Sequence, residues 1–162
     1  MNVGEMMTRG VQTCSPNDSL NRVAQLMWEH DCGCIPVVDA DGKAIGMITD
    51  RDICMAGYTQ GQPLMNMTVA SAASHNIVAV RENENLDAAE ALMQKHQIRR
   101  IPVVDANAKP IGIVSMNDLV RRARHKGGHL QDGLSPESIV RTLAAVCKPS
   151  ATQAHAAEDP QP

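Results

Sequence analysis

Two short stretches of this chain carry residue types that can do chemistry. Gly46-Met47-Ile48-Thr49-Asp50-Arg51-Asp52 and Gly112-Ile113-Val114-Ser115-Met116-Asn117-Asp118 share the pattern Gly-x-x-Thr/Ser-x-x-Asp. In each, the hydroxyl residue stands where a helix is expected to begin, and the aspartate follows one turn later. A helix N-terminus offers unpaired N–H groups and a partial positive charge, both suited to phosphate. The hydroxyl adds a donor, and the carboxylate can accept both hydroxyls of a ribose. The same spacing is also a capping box, which stabilises a helix start without binding anything. Spacing alone leaves both roles open.

The two stretches belong to a longer repetition. Ile35-Pro36-Val37-Val38-Asp39-Ala40 returns unchanged as Ile101-Pro102-Val103-Val104-Asp105-Ala106, sixty-six residues later. With the same shift and no gap, Leu20 meets Leu86, Ala24 meets Glu90, Met27 meets Met93 and His30 meets His96. The register holds from about Val3 to Gly57 and implies two copies of one structural unit, each with its own version of the site.

Each copy reads as strand, helix, strand, strand, helix. Val11 to Cys14 and Ile77 to Val80 are short strand candidates. Ser19 and Asn85 stand at equivalent positions as N-caps. Leu20, Val23, Ala24 and Met27 have helical apolar spacing, as do Leu86, Ala89, Leu92 and Met93. Ile35 to Val38 reads as a buried strand, and Asp41-Gly42 as a tight turn into Ala44 to Ile48. In the second copy Asn107 to Pro110 replaces that turn. Repeat 1 thus spans 3–57, residues 58–68 connect, and repeat 2 spans 69–124. Ser135 as N-cap, Pro136 at N1 and the stripe Ile139, Val140, Leu143, Val146 predict a further helix within 134–147, docked on the core or on a neighbour. The composition of 148–162, rich in Ala, Pro, Gln and Asp, predicts a disordered tail.

Composition narrows the function classes. A chain of 162 residues suits one compact domain, or two small units sharing one core. A repeat of about fifty-five residues is marginal for independent burial, so the copies should pack on each other. Phe is absent, and ten Met must help Ile, Val and Leu fill the interior. A net charge of -3 argues against DNA as a dominant partner. No apolar run approaches the roughly 20 residues that span a bilayer, and no signal peptide is visible. The cysteines, Cys14, Cys32, Cys34, Cys54 and Cys147, are odd in number and point to a reducing cytoplasm. His30-Asp31-Cys32-Gly33-Cys34 holds soft metal ligands at a spacing that is not a usual zinc pattern, and buried thiols are the plainer reading. No nucleophile elbow, Walker loop, HExxH or ordered Cys–His pair appears, so catalysis finds no support.

Taken together, an Ile-Pro-Val-Val-Asp strand followed by Gly-x-x-Thr/Ser-x-x-Asp, present twice, closely resembles the tandem cystathionine-β-synthase (CBS) domain family over about residues 3 to 124. The resemblance implies an α+β fold, with two tandem β-α-β-β-α repeats forming one pseudo-twofold module. It implies a stand-alone regulatory unit that binds an adenosine-containing ligand, AMP or ATP, in clefts between the copies. It needs no catalytic residue, cofactor or metal. An unknown effector protein would receive the signal, and the family's habit of pairing modules implies a homodimer. By the same resemblance Asp52 and Asp118 would hold riboses, with Thr49 and Ser115 beside them. The opposite copy would complete each cleft. The Asp52 cleft would receive Ile77, Val78 and Pro102 against adenine, with Arg99 and Arg100 toward the phosphates. The Asp118 cleft would receive Val11, Gln12 and Pro36. There Gly33 and Cys34 replace the two arginines, and Arg51 would compensate. Arg99-Arg100 also reads as a solvated strand start, and the basic stretch Arg121 to Lys126 as a solvated helix end. The alternative function is a structural or nucleic-acid adaptor that binds no nucleotide. No groove-reading motif supports nucleic acid.

Overall fold

The computed structural model describes residues 1–125 and 135–148, with side chains from 122 to 125 excepted. The expected tail, Lys126 and the residue at 134 lie outside the described residues, apart from Lys148. Among the described residues, eleven α-helices and β-strands follow in order: β1 (Thr8–Arg9), α1 (Leu20–Glu29), β2 (Cys34–Val38), β3 (Ala44–Thr49), α2 (Asp50–Gln60), β4 (Val80–Arg81), α3 (Leu86–His96), β5 (Arg100–Val104), β6 (Pro110–Ser115), α4 (Met116–His125) and α5 (Pro136–Val146).

The sixty-six-residue shift governs pairing as well as sequence. β2 pairs antiparallel with β3, and β5 with β6, in equivalent registers with the same irregularity after Val37 and Val103. Cys14 bridges Val37 in parallel, just as Val80 of β4 pairs with Val103. Each hairpin then receives a segment from the other repeat, a two-residue strand in one case and a single bridge in the other. Thr8 of β1 pairs with Ile113 on β6, and Ser74 pairs with Met47 on β3. Gly46 and Gly112 permit this close approach, because a Cβ on either would collide with the incoming segment, at Ser74 and at Met7. The three-residue 3₁₀ turns Val3–Glu5 and Val69–Ser71 repeat the relation, and Asn2 bridges Asn85 as Thr68 bridges Ser19.

Burial follows the exchange. One core gathers Leu20, Val23, Ile35, Val37, Ile48 and Ile53 with Met67 from the end of the connection and Val69 from the start of the other repeat. The second gathers Leu86, Met93, Ile101, Val103, Val114 and Leu119 with Val3 and Met7. The expectation of a single shared core is therefore corrected: there are two cores, each completed by an arm of its neighbour.

Several local expectations also change. Val11 to Cys14 is not a strand. Gly10, at φ +75, turns the chain away after β1, and only Cys14 returns, its N–H donating to Pro36 O at 3.1 Å. Ile77 to Val80 likewise contributes only Val80 to β4. The connection begins later than expected, because α2 continues through Gln60 to a left-handed Gly61. Ser19 caps α1 by accepting from Arg22 N–H, whereas Asn85 sits at the N-cap of α3 without a side-chain bond. The turns at Asp39 and Asp105 are alike: each Oδ1 accepts two backbone N–H groups, from Asp41 and Lys43, and from Asn107 and Lys109. Gly42 at φ +78 is matched by Ala108 at φ +63. The turns touch through Ala44 N–H donating to Ala108 O at 2.9 Å, and the reciprocal bond is impossible because Pro110 stands where Ala44 stands.

α5 lies on α3 and α4. Gln94 Nε2 donates to Thr142 Oγ1 at 2.7 Å, Ser138 Oγ to Glu90 Oε1 at 3.3 Å, and Gln97 Nε2 to Ala145 O at 3.3 Å. Ile139, Thr142 and Val146 are buried against them. Val140 and Leu143, expected on the packed stripe, instead face outward. Among the described residues, no helix is long and apolar enough to cross a membrane.

Candidate functional site

Both candidate stretches fold as capping boxes, with nearly superimposable geometry. Thr49 N–H and Oγ1–H donate to Asp52 Oδ2 at 2.8 and 2.6 Å, and Asp52 N–H returns a bond to Thr49 Oγ1 at 3.2 Å. Ser115 N–H and Oγ–H donate to Asp118 Oδ2 at 2.8 and 2.6 Å, and Asp118 N–H returns at 3.3 Å. In both boxes the cap uses Oδ2. Capping and ligand binding are therefore compatible roles for one carboxylate.

The surroundings of the two boxes differ. A cavity of about 450 Å³ opens at Ser115 and Asp118, within the range that holds a nucleotide-sized ligand. One wall is Thr8, Arg9, Gly10, Val11 and Gln12, brought in by the pairing of β1 with β6. A second wall is His30 to Cys34, the connection between α1 and β2 together with the first residue of β2. Repeat 2 supplies Arg100, Ile113, Ser115, Asn117, Asp118 and Arg121. The cavity thus joins three arginines and a histidine to two aspartates, Asp31 and Asp118. Arg9 also lies 3.7 Å from Glu82, with both side chains more than half exposed, so that ion pair is weak.

Arg100 is the main departure from expectation. The resemblance implies a place at the Asp52 cleft, whereas Arg100 lines the Asp118 cavity. Hairpin register decides this, because Arg100 is the direct cross-strand partner of Ser115 within its own repeat. Cys34 holds the matching position opposite Thr49. Gly33, expected only as a missing arginine, makes room for the guanidinium: a Cβ there would lie 3.3 Å from Arg100 Nη2 and 3.0 Å from Asp50 Oδ2. Val11, Gln12, Ser115 and Asp118 come together as expected. Pro36 is buried and Arg51 exposed, and neither lines this cavity. Thr49 and Asp52 are half-buried, as are Ile77 and Val78, while Pro102 is buried and Arg99 exposed. None of these lines the cavity at Asp118 or the shallow groove between α1 and α2.

Arg9, His30, Asn117 and Arg121 were not singled out as ligand contacts from sequence. The signal for Arg9 was present, since Thr8 is the sixty-six-residue counterpart of Ser74. It acquires meaning only once the exchanged pairing is known. Arg121 follows Asp118 by three residues on one helix, a spacing that places both on one face.

The thiols of this wall are not activated. Burial pushes Cys34 up to about 11, with the Arg100 guanidinium pulling the other way. Burial also raises Cys32, opposed by the Cys34 backbone N–H and by Arg100. All five cysteines are unpaired thiols. Among the described residues, no three His, Cys, Asp or Glu side chains are gathered for a metal, and His30, Cys32 and Cys34 line the cavity wall.

Comparison with known proteins matches the repeats directly. A family model described as CBS domain matches residues 3–58 and again 69–125. The CBS domain-containing protein YhcV of Bacillus subtilis is 42% identical over 139 residues, covering 85% of this chain and 97% of that protein. A CBS domain pair crystallised with 5′-methylthioadenosine and S-adenosyl-L-methionine superposes with a TM-score of 0.71 at 28% identity, covering 78% of this chain and 98% of its own. CBSX2 in complex with AMP superposes with a TM-score of 0.66 at 28% identity, covering 76% and 96%.

Proposed function

Because this chain belongs to the CBS domain family and carries the domain twice, we propose that it is a regulatory module that binds an adenosine-containing ligand and passes its state to an effector protein. The observation that carries this reading is the Asp118 cavity, where a capped helix start and three arginines converge from both repeats. Ribose hydroxyls are read at Asp118, with Ser115 beside them. Adenine lies against Val11 and Ile113, and Gln12 offers its amide to the base. The phosphates point to Arg100, Arg9 and Arg121, since guanidinium matches phosphate oxygens bidentately. This favours AMP or ATP over an uncharged nucleoside, and it favours the Asp118 cleft over the Asp52 cleft for the charged ligand. Thr49 and Asp52, with Ile77, Val78, Pro102, Arg99 and Arg51 around them, form the second and less discriminating site. The similar pairs crystallised with AMP and with S-adenosyl-L-methionine support a ligand of this class. We read the protein as a binding module and not an enzyme, cytoplasmic and homodimeric.

Calorimetry with AMP, ATP, S-adenosylmethionine and adenosine, at low and moderate salt, tests the reading. AMP should bind more tightly than adenosine, and the difference should shrink as salt rises. Arg100→Ala should weaken AMP by roughly tenfold or more, the worth of a charge-assisted bond, and leave adenosine nearly unchanged. Absence of binding by all four ligands to the folded protein would refute the sensor reading. Adenosine binding as tightly as AMP would refute the role given to the arginines.

A further inference from the structure

The wall of the Asp118 cavity holds two thiols, one on either side of a glycine. Cys32 is half-buried and Cys34 buried, and both line the cavity. The chain bends at Gly33 between them. Their backbones are fixed on both sides of the bend. Cys32 N–H donates to Met27 O at 3.0 Å, and Cys34 pairs with Thr49 across the hairpin. The Cys34 backbone N–H faces the Cys32 sulfur. Cα atoms two residues apart lie within about 7 Å, and closer at a bend, which meets the roughly 4.4–6.8 Å that a disulfide spans.

This pair is not part of the repeated design. The sixty-six-residue shift places Ile98 and Arg100 at the positions of Cys32 and Cys34. Arg100 nevertheless meets the pair, because its Nη2 lies 3.3 Å from where a Cβ on Gly33 would stand. The bend thus carries two thiols and borders a guanidinium of the same cavity. Cys54 is the competing partner, since it lines the α1–α2 groove that Cys32 also borders. It is exposed on α2, whereas Cys34 stands two residues from Cys32 on the cavity side.

We propose that Cys32 and Cys34 are a dithiol site that exchanges with an anionic low-molecular-weight disulfide, and that the resulting bridge weakens nucleotide binding at Asp118. Arg9, Arg100 and Arg121 outnumber Asp31 and Asp118 in the cavity and draw a carboxylate-bearing reagent into it. Cys32, the more accessible thiol, attacks as the thiolate. The S–S bond of the reagent breaks, and one thiol leaves with the proton that Cys32 gave up. Cys34 then attacks the Cys32 sulfur, and the second thiol leaves with the Cys34 proton. Two protein thiols and one small disulfide become one protein disulfide and two small thiols, with no further oxidant. The bridge tightens the bend under Arg100, the group to which the phosphates are assigned. This second half rests on the nucleotide reading of the cavity.

The test equilibrates the full chain with graded ratios of oxidised and reduced glutathione, a tripeptide thiol with free carboxylates. Neither thiol is activated, so an equilibrium is read and not a rate. Trypsin, cutting after Arg22 and Lys43, releases residues 23–43, which hold both thiols and no other cysteine. After acid trapping, the mass of this peptide should fall by two hydrogens. Cys34→Ser should stop at one glutathione on Cys32, and Cys34→Ala gives the same readout should the serine disturb β2. Calorimetry should find AMP weaker by roughly tenfold on the oxidised protein, the scale of losing one charge-assisted bond. Saturating AMP should shift the oxidation equilibrium toward the dithiol by the same factor. A peptide 23–43 that stays reduced at every ratio, carries two glutathiones or is joined to the peptide holding Cys54 overturns the dithiol site. A bridge that leaves AMP affinity unchanged overturns its coupling to the cleft. AMP binding to neither form overturns the nucleotide reading and the coupling with it, while the peptide masses decide the dithiol site by themselves.

Discussion

The two aspartates provide an internal control for capping against ligand binding. Asp52 and Asp118 accept from their own caps at the same 2.8 and 2.6 Å, so removing either carboxylate deletes the same local bonds. A lost cap costs about 0.5–2 kcal/mol. Asp52→Ala and Asp118→Ala should therefore destabilise by similar amounts in that range. Ligand binding breaks the tie. If Asp118 holds the ribose in the cavity with Arg100, its removal forfeits a charge-assisted bond of roughly 1.5–3 kcal/mol, which is about 10- to 150-fold in AMP affinity. Asp52→Ala should leave that high-affinity event unchanged. Asp118→Asn refines the comparison, because its amide oxygen keeps the cap while the charge is lost. It should recover most of the stability and little of the affinity. Chemical denaturation supplies the first quantity and calorimetry the second. Unchanged AMP affinity in folded Asp118→Ala, or an equal loss at a single site in Asp52→Ala, would refute the assignment.

Three further outcomes follow from other parts of the molecule. Ala108, at φ +63, occupies the turn position that Gly42 fills in the first repeat, so Ala108→Gly should stabilise by about 0.5–1 kcal/mol, read as a higher Tm. Burial under α5 raises the Glu90 carboxyl above its ordinary 4.5, opposed by Ser138. A raised carboxyl loses stability as pH rises from the ordinary value through the folded one, so Glu90→Gln should stabilise at neutral pH and the gain should vanish in acid below 4.5, as denaturant titrations across pH will show. Burial pushes Cys14 up to about 12 and Cys34 to about 11, so alkylation followed by mass spectrometry at mildly alkaline pH should leave both unmodified in the folded protein. Cys32 lines the cavity, and saturating AMP should slow its modification.

Much of this architecture was legible because the chain repeats itself. The Ile-Pro-Val-Val strands, both hairpins and both capping boxes follow from patterns confined to a dozen residues, and the structure has them. Pairings that depend on distant residues were not legible. Thr8–Arg9 and Ser74 are too short and too polar to read as strands; Thr8–Arg9 becomes a strand, and Ser74 a single bridge, only because the other repeat offers an edge. The position of Arg100 beside the Asp118 cavity depends on pairing in the same way. Its neighbour across the hairpin is set by register, and register decided that it faces Ser115. Ser135, Pro136 and the apolar spacing predict α5, but Ile139, Val140, Leu143 and Val146 mix a buried with an exposed side. Thr142, a polar residue that finds Gln94, belongs to the inner side, and only the packing partner reveals that.

The exchange of arms between the repeats has a consequence for how a signal can travel. Val3 and Met7 are buried in the second core, and Met67 and Val69 in the first. Neither half can melt without withdrawing a piece of the other, so the pair should open as one cooperative unit. Free energy supplied at one cleft is then shared by the whole chain. A molecule bound at Asp118 protects the distant Asp52 box from opening as much as its own surroundings. On the proposed sensor reading, an effector protein would need no dedicated wire between sites. Occupancy on one side is felt as stiffness on the other, and a surface that responds to global opening can be placed anywhere on the module.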